Sequence, residues 1–355
     1  MKIGIDCRLW GETGVGRYIR NLIRELQILD KKNEYTLFVL KKDKEGILKR
    51  VKNDKFKIIE ADIRWHSLNE QLSFPKILNR ENLDIVHFPY FSVPIFYNRP
   101  FVVTIHDLII NHFSTGRAST LPFPIYSLKL LGYKFIMSKT VKKAKKIIVP
   151  LRSIEDDLVS TLKVSRDKIS ITNEGFDPNI KKGKVSKNVL TATKIPYFLY
   201  VGNAYPHKNL ERLLKAFNML IDTNGTRMNT NISLVLVGKK DYFYKRLKKK
   251  VEEMKLSEKV IFLENVTDQE LFGLYKNAMA LVMPSLMEGF GLPAIEAMAN
   301  KCLVLASNIP ALQEVCADAA IYFNPYDVEN MYQKMREVCF NDLPRRKAGL
   351  NHFSQ

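Results

Sequence analysis

Short apolar runs rich in Val, Ile, Phe and Tyr alternate along this chain with amphipathic stretches of helical period, and the alternation stops and restarts near the middle. The first series runs through KIGID, YTLFVL, KIIE, DIVHF, FVVTI and KIIVP, with GRYIRNLIRELQIL as the helix after the first strand. The second comprises YFLYV, ISLVLVG, KVIFL, ALVMP, LVLAS and AIYF. Such alternation predicts parallel sheets covered on both faces, because joining parallel strands takes a helix-sized crossover. The polar, basic stretch DPNIKKGKVSKNVLTATK at 177–194 reads as the connection. The expectation is an α/β protein of two doubly wound domains, 1–180 and 195–355, with a linker at 181–194. A chain of 355 residues is long enough to close a core in each. Ligands of such sheets sit beyond the carboxyl ends of the strands, so a cleft between facing domains is the expected binding place.

The longest apolar runs, NAMALVM and YFSVPIF, are too short to span a bilayer, and the start MKIGIDCRLW carries Asp6 and Arg8 where a leader would be apolar. A cytoplasmic protein is expected. Cys7, Cys302, Cys316 and Cys339 form no CxxC pair and have no histidine set at ligand spacing, so they read as reduced packing residues rather than metal ligands. The net charge of +19 is lopsided, with +15 in residues 1–190 and +4 in the remainder. Nine Lys or Arg lie between Asp107 and Glu155 with no acid among them. Nucleic acid, anionic lipid headgroups, an acidic substrate or plain solvation could each explain such a face.

The stretch MPSLMEGFGLPAIEAMA, Met283–Ala299, carries the most chemistry. An apolar strand runs into a glycine-bearing turn, and Pro293 then occupies a first helical position. This arrangement aims the N–H groups of residues 289–292 and a positive helix end at one point, which suits a phosphate. Glu288 stands before that point and Glu296 one turn into the helix, so a ligand with hydroxyls on both sides of a diphosphate fits. A nucleotide sugar has that shape. Taken alone, the segment also fits a capped helix with incidental glutamates.

Glu288 and Glu296, spaced E-x7-E within EGFGLPAIEAMA, resemble the signature of the family-four retaining glycosyltransferases, which adopt the GT-B fold of two Rossmann-like domains. Further segments match in order: GVGRYIRNLIREL, DIVHFPYFSVP, VVTIHDL, NEGFDP, VGNAYPHKNLERLLKAF and SNIPALQEVCADAAIYFNPYD. The resemblance covers nearly the whole chain. It implies that Glu288 contacts the donor sugar and Glu296 the ribose, while the amides of Gly289, Phe290, Gly291 and Leu292 hold the diphosphate. It further implies that Gly16 and Asn203 line the donor site, that Lys208 meets the leaving phosphate, and that Arg17, His106 and Asp107 serve the acceptor side. Catalytic roles fall to His106, Lys208 and Glu288.

Lys208 follows the strand YFLYVG by a short turn, where an ammonium is a point charge suited to a phosphate. Many members of the family carry an arginine five residues earlier. This chain has Asn203 there, and His207 or a basic residue of the first domain is expected to supply the missing charge. Gly14 and Gly16 follow the first strand, yet the spacing is not G-x-G-x-x-G and the second strand ends in Lys41 and Lys42 rather than a ribose-binding acid, which argues against a nicotinamide dehydrogenase. At the end of FVVTI, His106 could donate to a sugar hydroxyl, with Asp107 fixing its tautomer, or be a satisfied core histidine. His87 reads as structural or as an indirect support.

The chain contains no DxD triplet, so no metal and no other cofactor is expected. The resemblance implies transfer with retention of configuration, the acceptor attacking the face the diphosphate leaves, and Glu288 positioning the sugar rather than bonding to it. Partners are a nucleotide sugar, a glycan or lipid-linked acceptor, and an anionic membrane touched by segment 122–147, where Tyr, Phe and Leu interleave with lysines as in an interfacial helix. The protein is therefore expected on the inner face of the cell membrane, in surface-polysaccharide assembly, with mannose carried on GDP as the favoured donor. A GT-B epimerase or phosphorylase and a nucleic-acid-binding protein are the alternatives, although no recognised nucleic-acid motif or stacking platform supports the last. The chain ends at LNHFSQ, short of the crossover helix that the resemblance implies.

Overall fold

The computed structural model of the chain describes residues 1–12, 14–114, 122–176, 193–221 and 231–340, together with 186, 189 and 191. The expected linker and the last residues of the chain, 341–355, lie largely or wholly outside these. Two compact units divide the chain: Met1–Leu108 with Leu121–Gly175, and Ile109–Thr120 with Phe176–Gln355.

In the first unit, β1 (Lys2–Asp6), β2 (Glu34–Val39), β3 (Phe56–Glu60), β4 (Ile85–Phe88), β5 (Phe101–Thr104), β6 (Lys146–Val149) and β7 (Ile169–Ile171) form one sheet in the order β3-β2-β1-β4-β5-β6-β7. All its pairings are parallel. Six of these strands match the expected runs to within a residue or two. The seventh, β7, is an addition: three residues of Ile-Ser-Ile cannot display an alternation, and only pairing with Ile147–Val149 of β6 makes them a strand. Chain order reverses between β1 and β4, the position at which doubly wound sheets open a ligand crevice.

The second unit repeats the plan with β8 (Tyr197–Val201), β9 (Ser233–Val237), β10 (Val260–Leu263), β11 (Ala280–Met283), β12 (Val304–Ser307) and β13 (Ala320–Phe323), ordered β10-β9-β8-β11-β12-β13 and again wholly parallel. Its reversal lies between β8 and β11. The strands read as continuous apolar runs because helices cover both faces, so there is no wet face to alternate toward. Helix Leu210–Ile221 shows the complementary pattern. Leu210, Leu213, Leu214, Phe217 and Leu220 fall on one face and join Met331 and Met335 of helix Val328–Phe340 in the core. Each fully buried Leu or Phe of this face contributes roughly 1.5–3 kcal/mol relative to exposure.

Gly16 opens the helix Gly14–Leu29 at a point where a Cβ would lie 2.6 Å from the Trp10 carbonyl oxygen and 2.8 Å from that of Leu9. Only glycine lets the helix start so close to the β1 loop. Among the described residues no helix is long and apolar enough to cross a membrane.

Candidate active site

At the reversal of the second sheet, the turn after β8 carries Lys208 and the turn after β11 carries Glu288, and the two side chains meet. The Lys208 ammonium donates to both carboxylate oxygens of Glu288 at 2.7 Å, with the side chains only 15% and 8% exposed. Ser285 Oγ donates to Glu288 Oε1 at 2.6 Å. The residues are 80 apart in sequence, so only the sheet order brings them together. Two N–H groups of the ammonium are engaged on Glu288, and the third is available to a further oxygen.

Glu288 leads directly into the turn that starts helix Leu292–Ala299, where Phe290 and Gly291 are buried. Gly291 sits there at φ 95°, a left-handed conformation that side chains avoid, and a Cβ would stand 2.9 Å from Leu312 Cδ2. Among the described residues, the N–H groups of Gly289, Phe290, Gly291 and Leu292 find no protein acceptor. Four orphan donors at a helix start, beside a buried lysine, have the chemistry to hold an anion. Glu296, buried within the helix, accepts from the Tyr275 hydroxyl at 2.9 Å. The two glutamates of the signature are therefore held by different partners.

The Lys208 turn is itself anchored. Asn209, at φ 62°, donates from Nδ2 to the carbonyls of Pro284 at 2.9 Å and Pro325 at 2.8 Å, so it ties together the turns after β8, β11 and β13. Asn is among the few residues that accept this backbone conformation readily, which is the signal its place in PHKN offered. Asn203 braces its own turn: its carbonyl accepts from Tyr200 O–H at 2.6 Å and its Oδ1 from Tyr205 N–H at 3.3 Å. His207 does not supply the missing positive charge. Burial, with Lys208 adjacent, pushes its pKa down to about 4, so its ring is neutral at physiological pH.

In the first unit, His106 lies just past β5 with both ring nitrogens on acceptors. Nδ1 is 2.6 Å from Glu174 Oε1 and Nε2 is 2.9 Å from the Pro89 carbonyl oxygen. Nε2 donates to the Pro89 carbonyl, and the short Nδ1–Glu174 contact favours the charged, doubly protonated ring. Burial works against that charge, but the Glu174 hydrogen bond and carboxylate outweigh it and raise the pKa. Glu174, rather than Asp107, is thus the carboxylate on the ring. Tyr18 packs edge-on against His106 at 5.0 Å and shares the Thr104 hydroxyl with His87 Nε2, 3.1 and 2.8 Å away respectively. Burial holds His87 neutral, its pKa near 4. Arg17 and Asp107 are half-buried.

Sequence reasoning passed over Arg8, which is 2% exposed. Its guanidinium donates to both Asp6 oxygens at 2.9 and 2.7 Å, to Glu70 Oε1 at 2.8 Å and to the Ile63 carbonyl at 3.1 Å, and lies 3.8 Å from the Phe74 ring centroid. Glu70 Oε2 in turn accepts from Ser92 Oγ at 2.8 Å and His66 N–H at 2.9 Å. The D-x-R spacing at the end of β1 was the available signal.

The family described as Glycosyltransferase Family 4 matches residues 13–180, and that described as Glycosyl transferases group 1 matches 182–352. The chain belongs to the family-four glycosyltransferases of the GT-B fold. This family-four chain is 27% identical over 289 residues to the O-antigen chain mannosyltransferase RfbU of Salmonella typhimurium, covering 81% of this chain and 74% of the relative. It is 28% identical over 365 residues to the O-antigen chain mannosyltransferase B of Escherichia coli, covering 97% and 91%. The solved structure of Anabaena HepE in complex with UDP and glucose superposes with a TM-score of 0.72 at 16% identity, over 98% of this chain and 92% of that one, a likeness of fold. The glycosyltransferase acts in glycan biosynthesis.

Proposed function

We propose that this glycosyltransferase moves a mannosyl residue from GDP-mannose, with retention of configuration and without a metal, to a lipid-linked acceptor in surface-polysaccharide assembly. The observation that carries the reading is the Lys208–Glu288 pair beside four N–H groups without acceptors. Cleaving the glycosidic bond builds positive charge on the sugar and negative charge on the departing diphosphate. The third N–H of Lys208 and the amides of residues 289–292 are fixed in place to meet that negative charge, so no reorganisation is needed as it develops. Glu288, oriented by Lys208 and Ser285, holds sugar hydroxyls rather than forming a bond to the sugar. The acceptor hydroxyl attacks on the face the diphosphate leaves: its oxygen bonds to the anomeric carbon as the bond to the diphosphate breaks, and its proton passes to the departing phosphate oxygen. Mannose is chosen because two relatives matched over 81% and 97% of the chain are O-antigen chain mannosyltransferases.

A thermal-shift panel of nucleotide sugars tests the donor. A ligand at 100 times its Kd stabilises the native state by about 2.7 kcal/mol, a rise of a few degrees, and GDP-mannose should give the largest. A larger rise with UDP-glucose would overturn the choice of donor, and no rise with any nucleotide sugar would overturn the site.

The membrane half of the reading rests on helix Phe123–Lys143. Ile125, Leu128, Leu131 and Phe135 are exposed on one side of it, and Lys129, Lys134 and Lys139 are exposed around them. Exposed apolar side chains within a cationic surround suit the headgroup boundary of an anionic membrane. The protein should float with vesicles containing phosphatidylglycerol and stay behind with phosphatidylcholine alone. Failure to float with both would end this part of the proposal.

A further inference from the structure

Beyond the carboxyl ends of β3 and β4 in the first unit stands a group of rings that the donor chemistry does not use. His66 and Trp65 stand on the loop after β3, and Tyr90 and Phe91 follow β4. The His66 ring lies 5.5 Å from Phe91 at 29° and 5.9 Å from Tyr90, while Tyr90 and Phe91 are 4.3 Å apart. Beneath them, Tyr133 meets Phe91 edge-on at 4.9 Å. Phe91 is buried, Trp65 and Tyr90 are half-buried, and His66 is exposed. Packing accounts for Phe91. It does not account for an exposed ring on a strained backbone.

His66 sits at φ 57°, a left-handed conformation for a residue with a full side chain. Its N–H is held by Glu70, the carboxylate that Arg8 and Ser92 also grip, so a buried ionic network fixes the strained residue against Phe91 and Tyr90. Backbone strain over-determined in this way gathers at ligand-holding positions. The packed rings shield one face of the imidazole while its residue stays exposed overall, and this desolvation, with Lys129 and Arg8 nearby, lowers the His66 pKa. The Lys42 ammonium lies 6.0 Å from the Trp65 ring.

We propose that the adjoining rings of His66 and Tyr90, with Trp65 next to His66 in sequence, form a platform for one pyranose ring of the acceptor glycan. This rests on the glycosyltransferase reading above and adds the acceptor subsite to it. A pyranose has a C–H face, which is attracted by the negative face of an aromatic ring, and a rim of hydroxyls. The rings offer the first contact, and Lys42 beside Trp65 and Lys129 near His66 offer donors for the second. Lys129 belongs to the helix that also carries the exposed apolar side chains, so a lipid-linked glycan held there would present its sugar next to the platform.

The test uses the full chain and two readouts. The sequence has two tryptophans, and Trp10 is buried, so Trp10→Phe leaves Trp65 as the reporter. A short mannose oligosaccharide should change its emission saturably, and adding His66→Asn, which keeps the left-handed backbone but removes the ring, should weaken that binding about five-fold. In steady-state assays with glycan acceptor and GDP-mannose, His66→Asn should raise the acceptor KM about five-fold with the donor KM within about two-fold, and His66→Phe should restore the acceptor KM. An unchanged acceptor KM, an equal rise in both KM values, or an emission that the oligosaccharide leaves unmoved would overturn the platform. The emission titration needs no donor, so it still reads the platform if GDP-mannose is not the donor.

Discussion

Replacing Lys208 with alanine is expected to cut kcat/KM by a factor of about 100 to 1,000, the loss typical of removing one fixed donor from a developing negative charge. The same change has a second effect. Glu288 would stay buried with only Ser285 Oγ to satisfy it, and stripping one partner from a buried ion pair costs about 3–5 kcal/mol. Lys208→Ala should therefore melt several degrees lower, whereas the double variant Lys208→Ala, Glu288→Gln, which leaves no unpaired charge, should recover much of that stability. Activity should not return in the double variant. Near-wild-type kcat/KM in Lys208→Ala would refute the role assigned to the ammonium, whatever the melting temperature does.

Arg8→Met carries the largest expected loss of stability. Methionine roughly fills the space and keeps a contact with Phe74, but it abandons Asp6 and Glu70, and Glu70 is fully buried. The cost should be about 3–5 kcal/mol at neutral pH. Its pH dependence has a definite sign. Burial already raises the Glu70 pKa, and Arg8 is the first of the groups that oppose the rise. Without Arg8 the folded state holds the Glu70 proton more tightly than the unfolded chain does. The variant should then be least impaired below the unfolded carboxylate pKa and lose stability progressively as pH rises through the folded value. Denaturant unfolding from pH 4 to 8 measures this, and a loss under 1 kcal/mol at pH 7 would show that the network contributes little.

The two sheets were legible because each parallel strand, buried on both faces, must be an apolar run, and twelve such runs stand between helical stretches. β7 was not legible, since Ile169–Ile171 is a strand only by virtue of its neighbour. The turn at Gly291 could be read from local chemistry, a glycine before a proline-led helix. Its neighbour Lys208 could be named, but its bond to Glu288 could not, because pairing across 80 residues is a property of strand order rather than of either segment. The same limit applies to His106 and Glu174, 68 residues apart, where proximity in sequence favoured Asp107. His207 was misjudged for another reason: residue type suggests a cation, and only burial reveals a neutral ring.

Asn209 binds the carbonyls of Pro284 and Pro325 at once, so the corners that follow three separate strands behave as a single stiff body. The ordering of that corner is completed when the polypeptide folds, not when a ligand arrives. A diphosphate reaching it would meet donors already immobilised, and the entropy lost on association would come from the small molecule far more than from the enzyme.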